Sequence, residues 1–580
     1  MTNFKNLVES FEKERKFEDF KKIKIALLGT YTLNNLQYPL KLEFYKSGFN
    51  PEIKYGGYNQ FIQELSDPAS WLKSYEPDII FIALSTKGFF TDIEYKILDI
   101  DKIKLDELIN DKFSFIENSI NSNLKSKIII SNLDYPSYSP YGLMDFSSEN
   151  GLFYLVSEFN KKLIDLAKRK SNLIILDFEN LLSKLGKKEV FDEKMYFLGK
   201  ILLNDYGAEH LTKEIVKISN AIYGNIKKCL VVDLDNTLWG GVVGEDGPNG
   251  IIIGDTTLGN IYSEIQKVIL NYKKLGVIIC INSKNNLSDV EEVFKKNPNM
   301  ILKESDFVIK KINWNQKSNN IKEIAKELKI GLDSMVFLDD NPVERMEVKS
   351  SLPMVNIVDF PEDISKLPSI LKELPFYSLK LTEEDKKRNE MYRQDVERNQ
   401  LKIESNLNDY LYKLKTKIII KKNDVISLDR ITQLINKTNQ FNLRTKRYTD
   451  KQVESMMKSE DFTILSLTVS DKFGNLGLTG AIIFQKIGNS TFIDNFLLSC
   501  RILSRKIEKQ FFIESLKYIK TDIIESEYIP TQKNEQVKDF YEELGFEVDD
   551  IKDKVKHYKK YLNGFKLKNI DWIEVENERN

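Results

Sequence analysis

The chain has 580 residues, of which 41% are hydrophobic and 30% charged, so three or four ordinary globular domains are expected. Lys plus Arg number 86 against 87 for Asp plus Glu, so no global basic field recommends a nucleic-acid partner. Three cysteines (Cys229, Cys280, Cys500) and two histidines (His210, His557) exclude a disulfide framework, a four-thiolate zinc centre and any chemistry that needs several imidazoles. No apolar run approaches the roughly 20 residues of a membrane span. The charged start, FEKERKFEDFKK, lacks the apolar core of a signal peptide. The expectation is a cytoplasmic protein with no membrane partner.

In chain order, residues 23–28 (IKIALL) predict a strand that ends at Gly29-Thr30. Further strands are expected at 51–55, at 78–84 ending in Ser85-Thr86, at 127–131 ending in Asn132, and at 173–176 ending in Asp177. Strands alternating with helices predict a parallel, doubly wound sheet. Residues 1–222 resemble an SGNH-type (GDSL-like) hydrolase domain of flavodoxin-like α/β/α architecture. Gly29-Thr30 stands where that family carries Gly-Asp-Ser, and LLNDYGAEHLTKEI resembles the helix after its Asp-x-x-His. The family's histidine would precede Asn204, whereas His210 lies beyond Gly207 inside the helix. A Ser-His-Asp triad needs that histidine within reach of the nucleophile. The domain is therefore expected to bind or position rather than hydrolyse, with His210 on the helix surface or capping it.

The middle of the chain carries the strongest signal. LVVDLDNTLWGG (230–241) reads as a buried parallel strand whose carboxyl end bears Asp233, Asp235 and Thr237. Two carboxylates two positions apart in a poorly solvated place need a cation or a shared proton. A second apolar strand, 276–281, ends in Asn282-Ser283-Lys284. Lys317 follows Asn313-Trp314-Asn315-Gln316 at a helix start, and a third strand, 335–338, ends in Asp339-Asp340-Asn341-Pro342. Acid pair, hydroxyl, lysine and acid pair in this order resemble the haloacid dehalogenase (HAD) superfamily, on a Rossmann-like parallel sheet over 225–375. The resemblance implies that Asp233 attacks phosphorus and that Asp235 protonates the leaving oxygen and then activates water. It assigns phosphoryl contacts to Thr237, Ser283 and Lys317. Mg²⁺ would be held by Asp233, the backbone carbonyl of Asp235, Asp339 and Asp340, hard oxygen donors suited to that ion.

Between Asp233 and Ser283 lies GGVVGEDGPNGIIIGD, expected to form a β-hairpin flap. There is no room for a large cap, so the site is open, which suits a macromolecular substrate or a neighbouring domain that excludes water. DLDNTLWGGVVGEDG, NSKNN, INWNQKSNNI and VFLDDNPVER are similar to the FkbH subfamily. The resemblance implies dephosphorylation of 1,3-bisphosphoglycerate and loading of the glyceryl unit on an acyl carrier protein.

Residues 376–404 read as a helical connector, starting at Thr382 with Asp385 as its capping partner. The mixed charges of KKRNEMYRQDVERNQ predict a solvated spacer helix. From 405 to 580 the pattern is helix, strand, helix, KTNQFNLRTKRY, helix and three strands, then a helix over 503–519 and a strand near 521–527. NEQVKDFYEELGFE resembles the late helix of the GNAT acyltransferase fold, an α+β fold, and singles out Tyr541. Asn439, Gln440, Phe441 and Asn442 are candidate contacts for a phosphorylated acid or a carrier arm. Cys500, beside Arg501 and ahead of the expected helix, sits where a cation and a helix start would favour a thiolate. In the resemblance it fits the acyl-carrying nucleophile. GNAT folds hold pyrophosphate with Arg/Gln-x-x-Gly-x-Gly/Ala; here Ser504 and Lys506 replace the small residues, which argues against coenzyme A. Two alternatives stay open: a phosphatase acting on a small sugar or acyl phosphate without acyl transfer, and a binding scaffold.

Overall fold

The computed structural model describes residues 4–15, 20–121, 126–379, 381, 388–403, 406–531, 533–565 and 567–577. It divides into two compact units, Met1–Asn225 and Ile226–Asn580. No described helix is long and apolar enough to cross a membrane.

The first unit is built on five parallel strands, β1 (Lys21–Gly29), β2 (Phe49–Tyr55), β3 (Ile79–Ala83), β4 (Lys127–Ser131) and β5 (Leu173–Leu176), in the order β2-β1-β3-β4-β5. This is the flavodoxin-like order. Every residue of β3 is buried, as a strand covered on both faces requires. Ile80 and Ile82 pack into one core, Ile79 and Phe81 into the other. Thr30, just past β1, is buried and bonds Ala83 O and Ser85 rather than an imidazole. His210 lies on helix α1 (Asp205–Tyr223), where its Nδ1 is 2.9 Å from Tyr206 O and its ring packs on Tyr206.

The second unit holds two sheets. The first is parallel: β6 (Cys229–Val232), β7 (Ile278–Ser283), β8 (Ile309–Ile312), β9 (Met335–Leu338) and β10 (Asn356–Ile357), ordered β10-β9-β6-β7-β8. The order reverses at β6, whose carboxyl end is the crevice where open α/β sheets place their chemistry. Helix α2 (Lys317–Leu328) follows β8. Its buried residues Ser318, Ile321, Ala325 and Leu328 recur at helical spacing, and Lys329 ends it in the left-handed region at φ 53°. Helix α3 (Pro342–Ser351) follows β9, with Asn341 as its cap.

The second sheet of this unit is α+β in character, with strands β11 (Thr416–Lys422), β12 (Phe441–Asn442), β13 (Phe462–Asp471), β14 (Gly474–Ile487), β15 (Ser490–Leu498), β16 (Ile523–Tyr528), β17 (Glu547–Lys552), β18 (Val555–Tyr561) and β19 (Ile573–Asn577). Its order is β17-β18-β16-β15-β14-β13-β11-β19, with β12 attached to β15. It is mainly antiparallel, but β15 and β16 run parallel.

The connector corrects the expectation of a solvated spacer. Helix α4 (Arg388–Ile403) is a strap. Asn389 is buried at the amino end of β7, accepting from Ile279 N at 3.2 Å and donating to Val277 O at 2.7 Å. Arg398 is 1% exposed and binds Asp471 of β13 through two bonds, at 2.6 and 2.8 Å. The expected start at Thr382 and Asp385 lies outside the described residues. Removing one partner of a buried pair leaves the other charge uncompensated. Asp471 also holds buried Arg505 at 3.0 Å, so Asp471→Ala, which strips two buried guanidiniums of their carboxylate, should destabilise the second unit by about 3 kcal/mol, read as a lower urea midpoint; an unchanged midpoint would contradict the strap.

Candidate active site

The site forms where β6 ends. Asp233 continues the strand, its N–H donating to Leu338 O at 2.9 Å, and its side chain is almost wholly buried. Asn236 adopts φ 52° and turns the chain, so that Thr237 and Leu238 bond back to Leu234 O at 3.1 and 2.8 Å. Asp235 is gripped from three sides: Trp239 Nε1 at 2.9 Å and Val243 N at 3.2 Å on Oδ1, and Asn285 Nδ2 at 3.0 Å on Oδ2. Burial raises the Asp235 carboxyl above its usual range, and those three bonds oppose the rise. Neither Trp239 nor Asn285 was expected to have a role. Asn285 also donates to Ser283 Oγ at 3.1 Å, which ties the acid to the hydroxyl at the end of β7.

Lys317 opens α2 and is 3% exposed. Its Nζ lies 2.9 Å from Asp233 Oδ1 and is hydrogen-bonded to Asp339. Burial works against its charge, but the two carboxylates outweigh it and hold the ammonium above its usual range. Asparagines anchor this helix start. Asn282 Nδ2 donates to Lys317 O at 3.0 Å, and Asn320 Nδ2 donates to Asn282 Oδ1 at 2.9 Å and to Asn313 Oδ1 at 3.0 Å. Burial, then the charge on Asp233, pushes Asp339 up to about 7 and raises Asp340 as well. Arg345 draws the acid loop together, donating to the carbonyls of Asp339 (2.8 Å) and Asp340 (2.6 Å). Thr237, expected on phosphate, is fully buried, and its Oγ1 accepts from Asp340 N at 3.2 Å.

Oxygens of Asp233, Asp339 and Asp340 lie within 4.8 Å of one another. Asp233 Oδ1 is buried, within ion-pair distance of Lys317 but with no aligned hydrogen bond. Three carboxylates against one ammonium leave negative charge uncompensated, and all the donors are hard oxygens. The residues present therefore fit a Mg²⁺ ion.

The flap differs from the expected hairpin. A single bridge joins Gly240 and Ile252, with bonds of 3.0 and 2.8 Å, and Val243–Asp246 forms a helical turn between them. Gly241, at φ 90°, donates to Asn236 Oδ1 at 2.9 Å; a Cβ there would meet Asp246 Oδ2 at 2.5 Å. That donor and that turn leave too few extended residues for a ladder.

The C-terminal candidates do not join this site. Cys500 begins a single 3₁₀ turn, Cys500–Ile502, and the expected 503–519 helix is shorter: α5 runs Ile507–Ser515. Ser504 (φ 66°) and Lys506 (φ 61°) keep left-handed backbone without glycine and delay the helix. Cys500 is thus removed from any helix start. It lines a 160 Å³ cavity with Glu327, whose carboxylate is paired with Lys311 at 2.8 Å, Leu328 and Lys329 of the α2 terminus, Tyr392 of α4, Arg501 and Arg505. Tyr541 is 1% exposed within the sheet's core, against Phe546 and Tyr558, and its hydroxyl has no partner. A thioester would reach it only if that core opened. Asn442 is fully buried and organises its own loop, accepting from Thr445 N at 2.7 Å and donating to Thr438 O at 3.2 Å. Asn439 accepts from Arg447, and Gln440 is exposed.

An acid pair at the sheet's switch point, a helix-start lysine and a second acid pair on a parallel sheet define a HAD-type phosphatase domain. The family model for the FkbH N-terminal domain matches residues 24–219. The N-terminal part of protein BF1531 from Bacteroides fragilis, containing a phosphatase domain and complexed with Mg, is 31% identical; the match covers 66% of this chain and 100% of that one, with a TM-score of 0.61. The chain belongs to the FkbH-like family and is an enzyme with an FkbH-type HAD phosphatase domain, which removes the scaffold alternative. The ribosomal-protein-S18-alanine N-acetyltransferase of Escherichia coli (13% identity, 25% of this chain and 93% of that one, TM-score 0.20) and the PaiA N-acetyltransferase of Thermoplasma acidophilum in complex with coenzyme A (18%, 25% and 98%, 0.19) also match. No curated protein sequence matches.

Asp339 keeps its proton in the folded protein up to about pH 7, and in the unfolded chain only to about pH 3.9. Between those values the native state binds more protons, so this group makes the metal-free protein less stable as pH rises. Asp339→Asn removes the dependence. In chelator, the Tm difference, variant minus parent, should grow from about pH 5 to pH 7 and then level off; calorimetry showing a flat difference would refute the assignment.

Proposed function

We propose that the chain is a Mg²⁺-dependent phosphatase and acyltransferase. It removes phosphate from a phosphoglyceryl substrate such as 1,3-bisphosphoglycerate and loads the glyceryl group on the thiol of an acyl carrier protein. The observation that carries the phosphatase half is the buried Asp233–Lys317–Asp339 triad beside an Asp235 held by three donors. Asp233 attacks phosphorus while the P–O bond to the leaving group breaks, and the leaving oxygen takes a proton from Asp235. A carboxyl raised by burial holds its proton more readily than a free one, as that role requires. Asp235 then accepts a proton from the water that cleaves the aspartyl phosphate. Lys317 and Ser283 orient the phosphoryl oxygens. Mg²⁺ on Asp233, Asp339 and Asp340 would supply the positive charge that draws the phosphoryl group in. For the acyl half, the Cys500 thiolate attacks the carbonyl carbon of the acyl phosphate, whose C–O bond breaks to release inorganic phosphate, while Asp233 acts on the other, ester-linked phosphate; the carrier thiol then loses its proton and attacks the thioester, and Cys500 leaves as thiolate.

One observation favours the narrower reading, a phosphatase without acyl transfer. Lys317 and Leu328 sit at opposite ends of α2, about 16 Å apart at 1.5 Å per residue. Cys500 shares its cavity with the Leu328 end, so no small substrate touches both sites at once.

Intact-protein mass spectrometry after incubation with 1,3-bisphosphoglycerate, Mg²⁺ and candidate carrier proteins separates the readings. The full reading predicts a glyceryl-carrier adduct that disappears in Cys500→Ala while phosphate release continues. An unmodified carrier leaves the phosphatase alone. Without a carrier protein, Asp233→Asn should abolish phosphate turnover, and Asp235→Asn should lower its kcat by roughly 10²–10⁴-fold. Mg²⁺ should raise the Tm of the parent but not of Asp339→Asn; equal shifts would place the ion elsewhere.

A further inference from the structure

The last sheet parts between β15 and β16. These parallel strands pair only over 490–492 and 523–525. Beyond that point the two strands no longer pair with each other, and residues 441–444 of the same chain lie between them. Phe441 and Asn442 pair antiparallel with Leu498 and Leu497. Leu443 spans the gap: its N–H donates to Phe496 O at 3.3 Å, and its carbonyl accepts from Ile529 N at 2.9 Å. Asn534 Nδ2 donates to Asn442 O at 2.9 Å. Arg444 closes the end, binding Asp494 on one strand at 2.8 Å and Glu527 on the other at 2.6 Å. An extended amide chain such as pantetheine would need the same backbone partners to add to this sheet. On the outer side, a 630 Å³ cavity that reaches Phe441 and Ser504 carries Glu508, Glu535, Asp539 and Glu543 against Lys538. That field repels the phosphates of a nucleotide cofactor.

Cys500 faces the other cavity. At 160 Å³ it is smaller than the roughly 300–1,000 Å³ of drug-sized ligand sites and matches a small acid. Its two arginines differ. Arg505 is committed to Asp471 at 3.0 Å. Arg501 bonds Ser499 Oγ at 3.4 Å and Met391 Sδ at 2.8 Å, and among the described residues no carboxylate pairs with it. A guanidinium held by a hydroxyl and a thioether keeps its capacity for an anion.

We propose that this junction cavity, rather than the parting of the sheet, is the ligand site of the C-terminal domain. It takes a small anionic acid on Arg501, and coenzyme A is not its ligand. Acyl capture by Cys500 rests on the function proposed above; the binding site does not. The test is limited alkylation of full-length protein with iodoacetamide, read at Cys500 by peptide mass spectrometry, with buried Cys229 and Cys280 as internal controls. Millimolar 3-phosphoglycerate should slow labelling several-fold and coenzyme A should not. Arg501→Gln should lose the protection, Arg501→Lys should keep part of it, and Asp233→Asn should keep all of it. Protection by coenzyme A, or protection by neither compound, overturns the assignment. The readout needs no turnover, so a failure of acyl transfer leaves it standing.

Discussion

A lysine ammonium buried between two aspartates is the constraint on which the rest of the phosphatase domain depends. Desolvating Lys317 alone would be prohibitive, and desolvating Asp233 and Asp339 without it equally so. Together they remain unbalanced, because Asp340 adds a third carboxylate within 4.8 Å. The residual negative charge is what a divalent cation would neutralise, and only with that cation bound can the site accept an anionic phosphoryl group. Burial first, and the charge on Asp233 second, raise Asp339 and Asp340. The site is therefore strained electrostatically in the direction that favours loading.

Holding that arrangement takes more than the charged groups. Lys317 is placed by its own helix, and the helix start is fixed by Asn282, Asn313 and Asn320, neutral amides that add no further charge. Asp339 and Asp340 are held through backbone by Arg345 and Thr237, and the Asp339 carboxylate is fixed further by Lys317 and by Asn341 N–H at 2.9 Å. Asp235 is separated from the ion cluster by its own donors, Trp239 and Asn285. Two carboxylates two residues apart thus occupy different environments, one ion-paired and one hydrogen-bonded. Such a division lets one act as nucleophile while the other carries a proton.

The parallel sheets and the acid, hydroxyl and lysine positions were legible because buried parallel strands read as continuous apolar runs and their ends as polar interruptions. LVVDLD and MVFLDD show both signals within six residues. The supporting residues were not legible. Trp239 reads as core, Asn285 as loop, and Asn282 as one polar residue among several, since their value lies in partners distant in sequence. The connector was misread for a related reason. Charged residues on a helix predict solvent, and nothing local shows that Asp471 waits to pair with Arg398. The shortened α5 has another cause: Ser504 and Lys506 hold left-handed backbone, a conformation their side chains do not announce. Strand β17 is not legible because its exposed, charged edge sequence, EVDDIK, carries no apolar alternation.

The strap also decides what can cover the phosphate site. Asn389 docks on the amino end of β7, whereas Ser283 lies at its carboxyl end. The C-terminal domain is therefore attached to the edge of the sheet opposite the chemistry, and the region around Cys500 does not act as its lid. Within the second unit, the segments that follow β8 and β9 carry exposed apolar side chains: Trp314 before α2, and Val343 and Met346 on α3, are each about 70% exposed. Exposed apolar side chains beside a charged pocket would suit a substrate whose phosphate is presented by something larger than itself. A free small acid would have to leave one edge and diffuse to the other between steps. A substrate tethered to a carrier can visit both edges without being released, and effective concentration then does the work that a closed cap does elsewhere. The separation of the two sites along α2, which argues against a shared pocket, is for the same physical reason an argument for a tethered substrate wherever both chemistries operate.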